Sequence, residues 1–273
     1  MIIFASMINL LVFEQVIQHR LKRLMMNESD VKYDNVTIGE NVVIGHGSII
    51  YPNVEIGDHT VIGPYCTIGE PTAAFYNENA ACVEKHHFKK TYIGPDSVVR
   101  SYSIIYEDVE IGAGFQSGHR VTIRENTSIG TKCSVGSQTD ILDSVKLGNY
   151  VRVHSSVFMG QHTFIEDYAW IFPYVALTND RHPPVYNPQG VTIKEFAVIA
   201  TSSVILPGIT VGKNALVGAH SVVTKDVADE TLVVGNPAKA RCSVRDIRDA
   251  NGRQIYPWKD HLKEYRGYPW QNK

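Results

Sequence analysis

His119 closes the segment Phe115-Gln-Ser-Gly-His119. An imidazole ordinarily titrates near pH ~6.5, so a histidine can take up and return a proton at neutral pH. At successive steps of three hexads from His119, allowing for one insertion, come Ser137, Ser155, Pro173, Thr201 and Ala219. A row with one titratable group at its head and mostly small side chains behind it would line a groove for a thin, extended ligand. A pantetheine arm whose acyl thioester reaches the histidine has that shape. Attack of a protonated nucleophile on such a thioester needs one base within hydrogen-bond reach and one or two donors for the tetrahedral oxyanion. Phosphates at the far end of the ligand would find Lys213, Lys225, Lys239 and Arg241.

The element that must position this row is a ladder of period six. From Ile93 the sixth residues are Val99, Ile105, Ile111, Ser117, Ile123, Ile129, Val135, Ile141, Leu147, Val153, Met159, Ile165, Ile171 and Leu177. Six further rungs precede it (Ile38 to Ile68) and six follow (Ile193 to Val223), so that 26 of 27 are apolar. No helical or two-residue period accounts for that. Two residues before each rung the chain is small or β-branched, except at Phe115, and the one polar rung is Ser117. Both exceptions therefore fall in the His119 segment, where large and small have changed places. Hexads of this kind predict a parallel β-helix in which three hexads, each a short strand and a turn, make one coil. Nine coils at strand spacing give a prism roughly 40 Å long, and the His119–Ala219 row covers about 24 Å of one edge. Glycines after many rungs, such as Gly94 and Gly112, are expected to relax the backbone at the corners.

Two insertions, residues 70–92 and 178–190, interrupt the ladder after rungs six and twenty-one and so leave the same corner of the prism. Their Phe75, Tyr76, Asn179, Asp180 and Tyr186 are placed to line a cleft or meet a neighbouring subunit, with the rings available to stack on a base. The domain plan is a leader over 1–30, the coil over 31–227 and a C-terminal segment over 228–273 that caps the open end, with a short helix near Lys259 to Tyr265. The uncharged start MIIFASMINLLVF is too short to span a bilayer and lacks the pattern of a signal peptide. It predicts an amphipathic leader, packed, disordered or resting on a membrane surface, and Met25 or Met26 is an alternative start.

With 26 basic and 28 acidic residues the chain has no general attraction to nucleic acid or to an anionic membrane. Its four cysteines form no CxxC pair, and Cys66 and Cys133 occupy small inward positions of the ladder. They read as reduced packing residues of a cytoplasmic protein.

The run Ile205-Leu-Pro-Gly-Ile-Thr-Val-Gly-Lys-Asn-Ala-Leu-Val-Gly-Ala-His-Ser-Val-Val-Thr-Lys-Asp-Val, followed by Val233-Val-Gly-Asn-Pro-Ala-Lys239, resembles the coenzyme A end of hexapeptide acyltransferases. Phe115-Gln-Ser-Gly-His-Arg-Val-Thr-Ile-Arg-Glu125 with Thr178-Asn-Asp-Arg-His-Pro-Pro184 is similar to N-acyltransferases of nucleotide-linked amino deoxysugars. The resemblance covers about residues 30 to 240. It implies left-handed coiling and a homotrimer with sites between subunits. It also implies acetyl-coenzyme A as donor without a metal, and the amine of a nucleotide-linked amino-6-deoxysugar as acceptor. His119 would then be the catalytic base or a group that holds the reactants; Gln116, Ser137, Ser155, Phe75, Tyr76, Asn179 and Asp180 would serve the acceptor, and Thr201, Ala219, Lys213, Lys225, Lys239 and Arg241 the coenzyme. Two other readings keep the same prism: a non-catalytic scaffold, and a zinc carbonic anhydrase-like enzyme. The first would not need the graded row of small residues. The second needs paired histidines on one surface, and His154 and His162 fall on different corners.

Overall fold

The computed structural model describes residues 35–78, 86–184 and 186–271; the predicted leader lies outside them. Within the described residues the chain winds as a β-solenoid whose three faces are sheets of nine, eleven and nine strands, parallel throughout except for the last strand of the second. Because the repeat is six, every third rung returns to the same face. Ile111 lies beside Ile129 on the first face, Ser117 beside Val135 on the second and Ile123 beside Ile141 on the third. Each strand of two or three residues donates to the coil that follows and accepts from the one before, so no single strand need be stable alone.

The rungs fill the prism. Ile62, Ile93, Ile111, Ile141, Ile171 and Ile199 are wholly buried, and burial of each such side chain contributes about 1.5–3 kcal/mol. The small inward positions carry hydroxyls that reach nearby carbonyls: Ser97 donates to Gly94 at 2.7 Å, Thr139 to His154 at 3.0 Å and Ser203 to Gly218 at 2.9 Å. Cys133 plays the same part, its thiol 3.0 Å from the Gly148 carbonyl, and burial pushes its pKa up to about 12. In native protein at pH 8 a thiol reagent is expected to label exposed Cys242 and to reach Cys133 only after denaturation. Peptide mapping of the labelled protein checks this.

The corners differ from expectation. The left-handed residue is the third of each turn, and most of these are not glycine: Asp96, Arg120, Asn126, Lys132 and Tyr150 have φ between 54° and 58°. Their N–H groups bond to the preceding coil, as Arg120 does to Ser101 at 3.1 Å and Gln138 to His119 at 2.9 Å. The glycine directly after a rung serves close approach instead. A Cβ on Gly112 would come within 2.8 Å of the Gly130 carbonyl carbon and the Thr131 nitrogen.

Both insertions leave the corner between the third and first faces, after Ile68 and Leu177. Register resumes across them, Val54 pairing with Thr91 and Phe164 with Thr192. The first insertion contains the helix Ala73–Glu78 and is tied down by buried Glu107, which accepts from the Thr72 and Lys89 amides at 3.2 and 2.9 Å and meets His86 Nε2 at 3.0 Å.

Beyond the ninth coil the chain starts a tenth with a shorter step. Val227 pairs with Val211 and Val233 with Val217, a separation that falls short of the three hexads between earlier coils. The strand Lys239–Ser243 then turns back antiparallel along Thr231–Val234. The remaining tail runs back beside the coils, where Trp258 and Tyr268 pack with Phe196 and Val198 and against Tyr150, Tyr168, Trp170 and Phe172. Its helix spans Trp258–His261, ending earlier than expected because Leu262 takes an extended conformation and packs against the same aromatic cluster.

Candidate functional site

The second face and the turns that follow it form a cleft of about 580 Å³. At its floor is the exchanged pair, with Phe115 wholly buried and Ser117 1 % exposed. The large ring supplies the core volume that Ser117 leaves. The freed hydroxyl accepts from the Arg100 amide at 2.8 Å, and the Arg100 guanidinium donates to the Ser117 carbonyl. One coil on, the Ser137 hydroxyl accepts from the His119 amide at 3.0 Å, so Ser137 braces the turn that carries the histidine. A Cβ on Gly118 would lie 2.2 Å from the Ser137 nitrogen, and one on Gly136 would lie 2.4 Å from the Ser155 nitrogen. Bare backbone is thus what lets these turns stack.

The predicted row is continuous. Ser156 donates to the Ser137 carbonyl, Tyr174 to Ser155, Ser202 to Pro173 and His220 to Thr201. Gln116, His119, Ser137 and Ser155 line one cleft together. Thr201 and Ala219 continue the same edge, where Ala219 is exposed, and the loop after Val234 lies just beyond its end. There Gly235 accepts from Val222 at 3.0 Å and Ala238 donates back to the Val222 carbonyl at 2.8 Å. Lys239 and Arg241, both exposed, follow that loop.

Other residues assigned by sequence to the two ends of the site stand elsewhere. Lys213 leaves the corner between the first and second faces and pairs with Glu195 at 2.5 Å, while Lys225 leaves the corner between the third and first. Counting rungs separates them, since Lys213 follows a first-face rung and Lys225 a third-face rung of the last coil. Phe75 is buried among Tyr76, His86 and Phe88 and offers no face to a base. Tyr76 donates to Glu70 at 2.6 Å, a bond that raises its pKa well above the phenol range. Asn179 and Asp180 stand on the insertion corner, Asn179 donating to Gln161 at 3.1 Å and Asp180 accepting from the His182 amide at 3.0 Å. Tyr186, on the same insertion, is fully exposed.

The cleft also contains groups that the ladder did not single out. His154, one residue ahead of Ser155, stacks on Phe172 with centroids 4.8 Å apart. Burial, with Arg152 and Arg266 adding to it, lowers its pKa, so it is neutral at pH 7. Arg152 and Trp170 lie on the outward stripe of the second face, in register with Gln116 and Ser134. Counting outward positions as well as rungs would have found them. Arg266 arrives from the tail, and no periodicity points to it. The residues lining the cleft include Arg100, Arg152 and Arg266 and no carboxylate.

Residues 35–70 match the bacterial transferase hexapeptide family (six repeats). The same six-residue repeat continues beyond that match through the three stacked faces. The chain is 29% identical over 172 residues to serine acetyltransferase of Bacillus pumilus (strain SAFR-032), covering 61% of this chain and 64% of that one. It is 39% identical over 95 residues to Protein CapG of Staphylococcus aureus, covering 35% of this chain and 50% of that one. The chain thus spans less than two thirds of the length of these curated relatives. A solved UDP-N-acetylglucosamine acyltransferase from Arabidopsis shares the fold, with a TM-score of 0.57 and 18% identity over 80% of this chain and 74% of that one. Among the described residues, no helix is long and apolar enough to cross a membrane.

Proposed function

We propose that this protein is an N-acyltransferase that moves an acetyl group from coenzyme A to the amine of a nucleotide-linked amino-6-deoxysugar. The observation that carries the reading is the continuity of one edge, from His119 in a carboxylate-free cleft to exposed Ala219, with the loop after Val234 bonded to Val222 just beyond it. A pantetheine arm fits that edge, with its thioester beside His119 and its phosphates toward Lys239 and Arg241. The similarity to an acetyltransferase supports the donor. Three arginines in the cleft, beside Trp170 and Phe172, suit an acceptor that carries phosphates and a base.

In the reaction the amine nitrogen bonds to the thioester carbonyl carbon, and the tetrahedral oxyanion collapses with loss of the C–S bond. His119 takes the proton that the nitrogen sheds and returns it to the departing sulfur, while Gln116 and Ser155 are the uncharged polar groups at hand to meet the oxyanion. Asn179, Asp180 and Tyr186 stand one edge away from His119 in the same chain. They serve a site only where a second copy brings its insertion corner to this cleft, which is the arrangement of a homotrimer with sites between subunits.

The test is a screen of thymidine- and uridine-diphosphate amino sugars with acetyl-coenzyme A, following thiol release. At least one 3-amino or 4-amino sugar is expected to release thiol well above the acceptor-free rate. If none does, the acceptor class is wrong.

A further inference from the structure

We propose that the C-terminal tail completes an anion subsite in the cleft, with Arg266 joining Arg152 to hold the diphosphate of a bound nucleotide. The identity of that nucleotide rests on the function proposed above, in which both the amino sugar and coenzyme A carry a diphosphate.

The two guanidinium groups are brought together by unrelated parts of the chain. Arg152 projects outward from a second-face strand, and Arg266 lies far along the chain in the tail. Both line the main cleft and a second recess of about 340 Å³ beside it, where Lys132 adds a further cation and Asp96 the one carboxylate. Their guanidinium carbons lie 5.8 and 5.9 Å from the centre of the Trp170 ring. Contact with the ring holds both groups at the cleft, where guanidinium N–H groups can fork onto phosphate oxygens.

The tail is locked where this pair needs it. The buried Tyr268 hydroxyl accepts from Arg152 Nε and from Trp170 Nε1, each at 2.8 Å, and an Arg152 amino group donates to the Arg266 carbonyl at 3.0 Å. On the pair itself, the ion-pair partner is Glu264, 2.5 Å from Arg266. A tail held only by packing would gain nothing from setting one arginine beside another. Two like charges beside one ring are favourable once a dianion lies between them. Both arginines line the cleft together with His154, so their charge faces it.

The division of labour within Arg266 makes the test clean. Its carbonyl holds Arg152, whereas its guanidinium is free of the Tyr268 anchor, so Arg266→Ala removes the charge and keeps the tail docked. Calorimetry on the full chain would use inorganic pyrophosphate, uridine and thymidine diphosphates and coenzyme A, with uridine, thymidine and pantetheine as controls. Arg266→Ala is expected to weaken at least one diphosphate ligand by about tenfold, with Arg266→Lys between, and to leave the controls unchanged. Loss confined to the nucleoside diphosphates assigns the subsite to the acceptor, whereas loss confined to coenzyme A assigns it to the donor and overturns the placement of the donor phosphates at Lys239 and Arg241. Equal affinities in wild type and Arg266→Ala, no diphosphate binding by wild type, or equal loss for uridine and its diphosphate would each overturn the subsite. Arginine-dependent pyrophosphate binding without thiol release for any amino sugar would instead keep the subsite and refute the acceptor assignment.

Discussion

Replacing His119 with asparagine should lower kcat by about a hundredfold or more while changing the Michaelis constants for donor and acceptor only a few-fold. Asparagine keeps the size and a hydrogen-bonding end but cannot take a proton. The turn that carries the residue is held through its backbone, by the Ser137 hydroxyl on the His119 amide and by the His119 carbonyl on Gln138. Its position should survive the change, so a loss in kcat reports chemistry and not collapse of the cleft. His154 is the internal control. It is neutral at pH 7 and lines the same cleft, so it is also competent to accept a proton, but it is stacked on Phe172 and set beside Arg152. His154→Gln should therefore act mainly on the Michaelis constants. Steady-state kinetics of the two variants decide the matter: a kcat loss in His154→Gln with normal turnover in His119→Asn would exchange the two roles.

The parts of this site that were legible in the sequence are those set by the repeat. A period of six forces every third rung onto one face, so the row from His119 to Ala219 follows from counting, and the structure threads it by backbone hydrogen bonds. What counting missed has three physical sources. His154, Arg152 and Trp170 lie on the same coils but at positions other than the one followed, where outward side chains carry no constraint from the core. The last coil shortens its step, so Val227 and Val233 continue the stack after the sixfold rhythm has ended. The tail obeys no period, and its place beside Tyr150, Tyr168 and Phe196 comes from aromatic packing that only the folded chain brings together. The corner glycines illustrate a different limit. A glycine suits both a left-handed backbone and a close neighbour, and the torsion angles show that here the close approach is what requires it.

The exchange of Phe115 and Ser117 has a consequence for stability that separates packing from function. Phe115→Ala should destabilise the fold by about 3–5 kcal/mol, since it empties a wholly buried ring position that neighbouring coils cannot close without breaking register. Against a typical total of about 5–15 kcal/mol this is a large loss, visible in urea or thermal unfolding. Restoring the ordinary pattern with Phe115→Thr and Ser117→Ile together would return much of the apolar volume. It would also delete the hydroxyl that accepts from the Arg100 amide, leaving that donor unpaired at a cost of about 1–3 kcal/mol. The double variant should therefore unfold between the single variant and wild type, and lose activity because the Arg100 bracket beneath His119 is gone. If it matched wild type in both respects, the exchange would be a packing accident. The order expected here means that the ladder gives up one apolar rung so that the next turn can hold a histidine over polar ground.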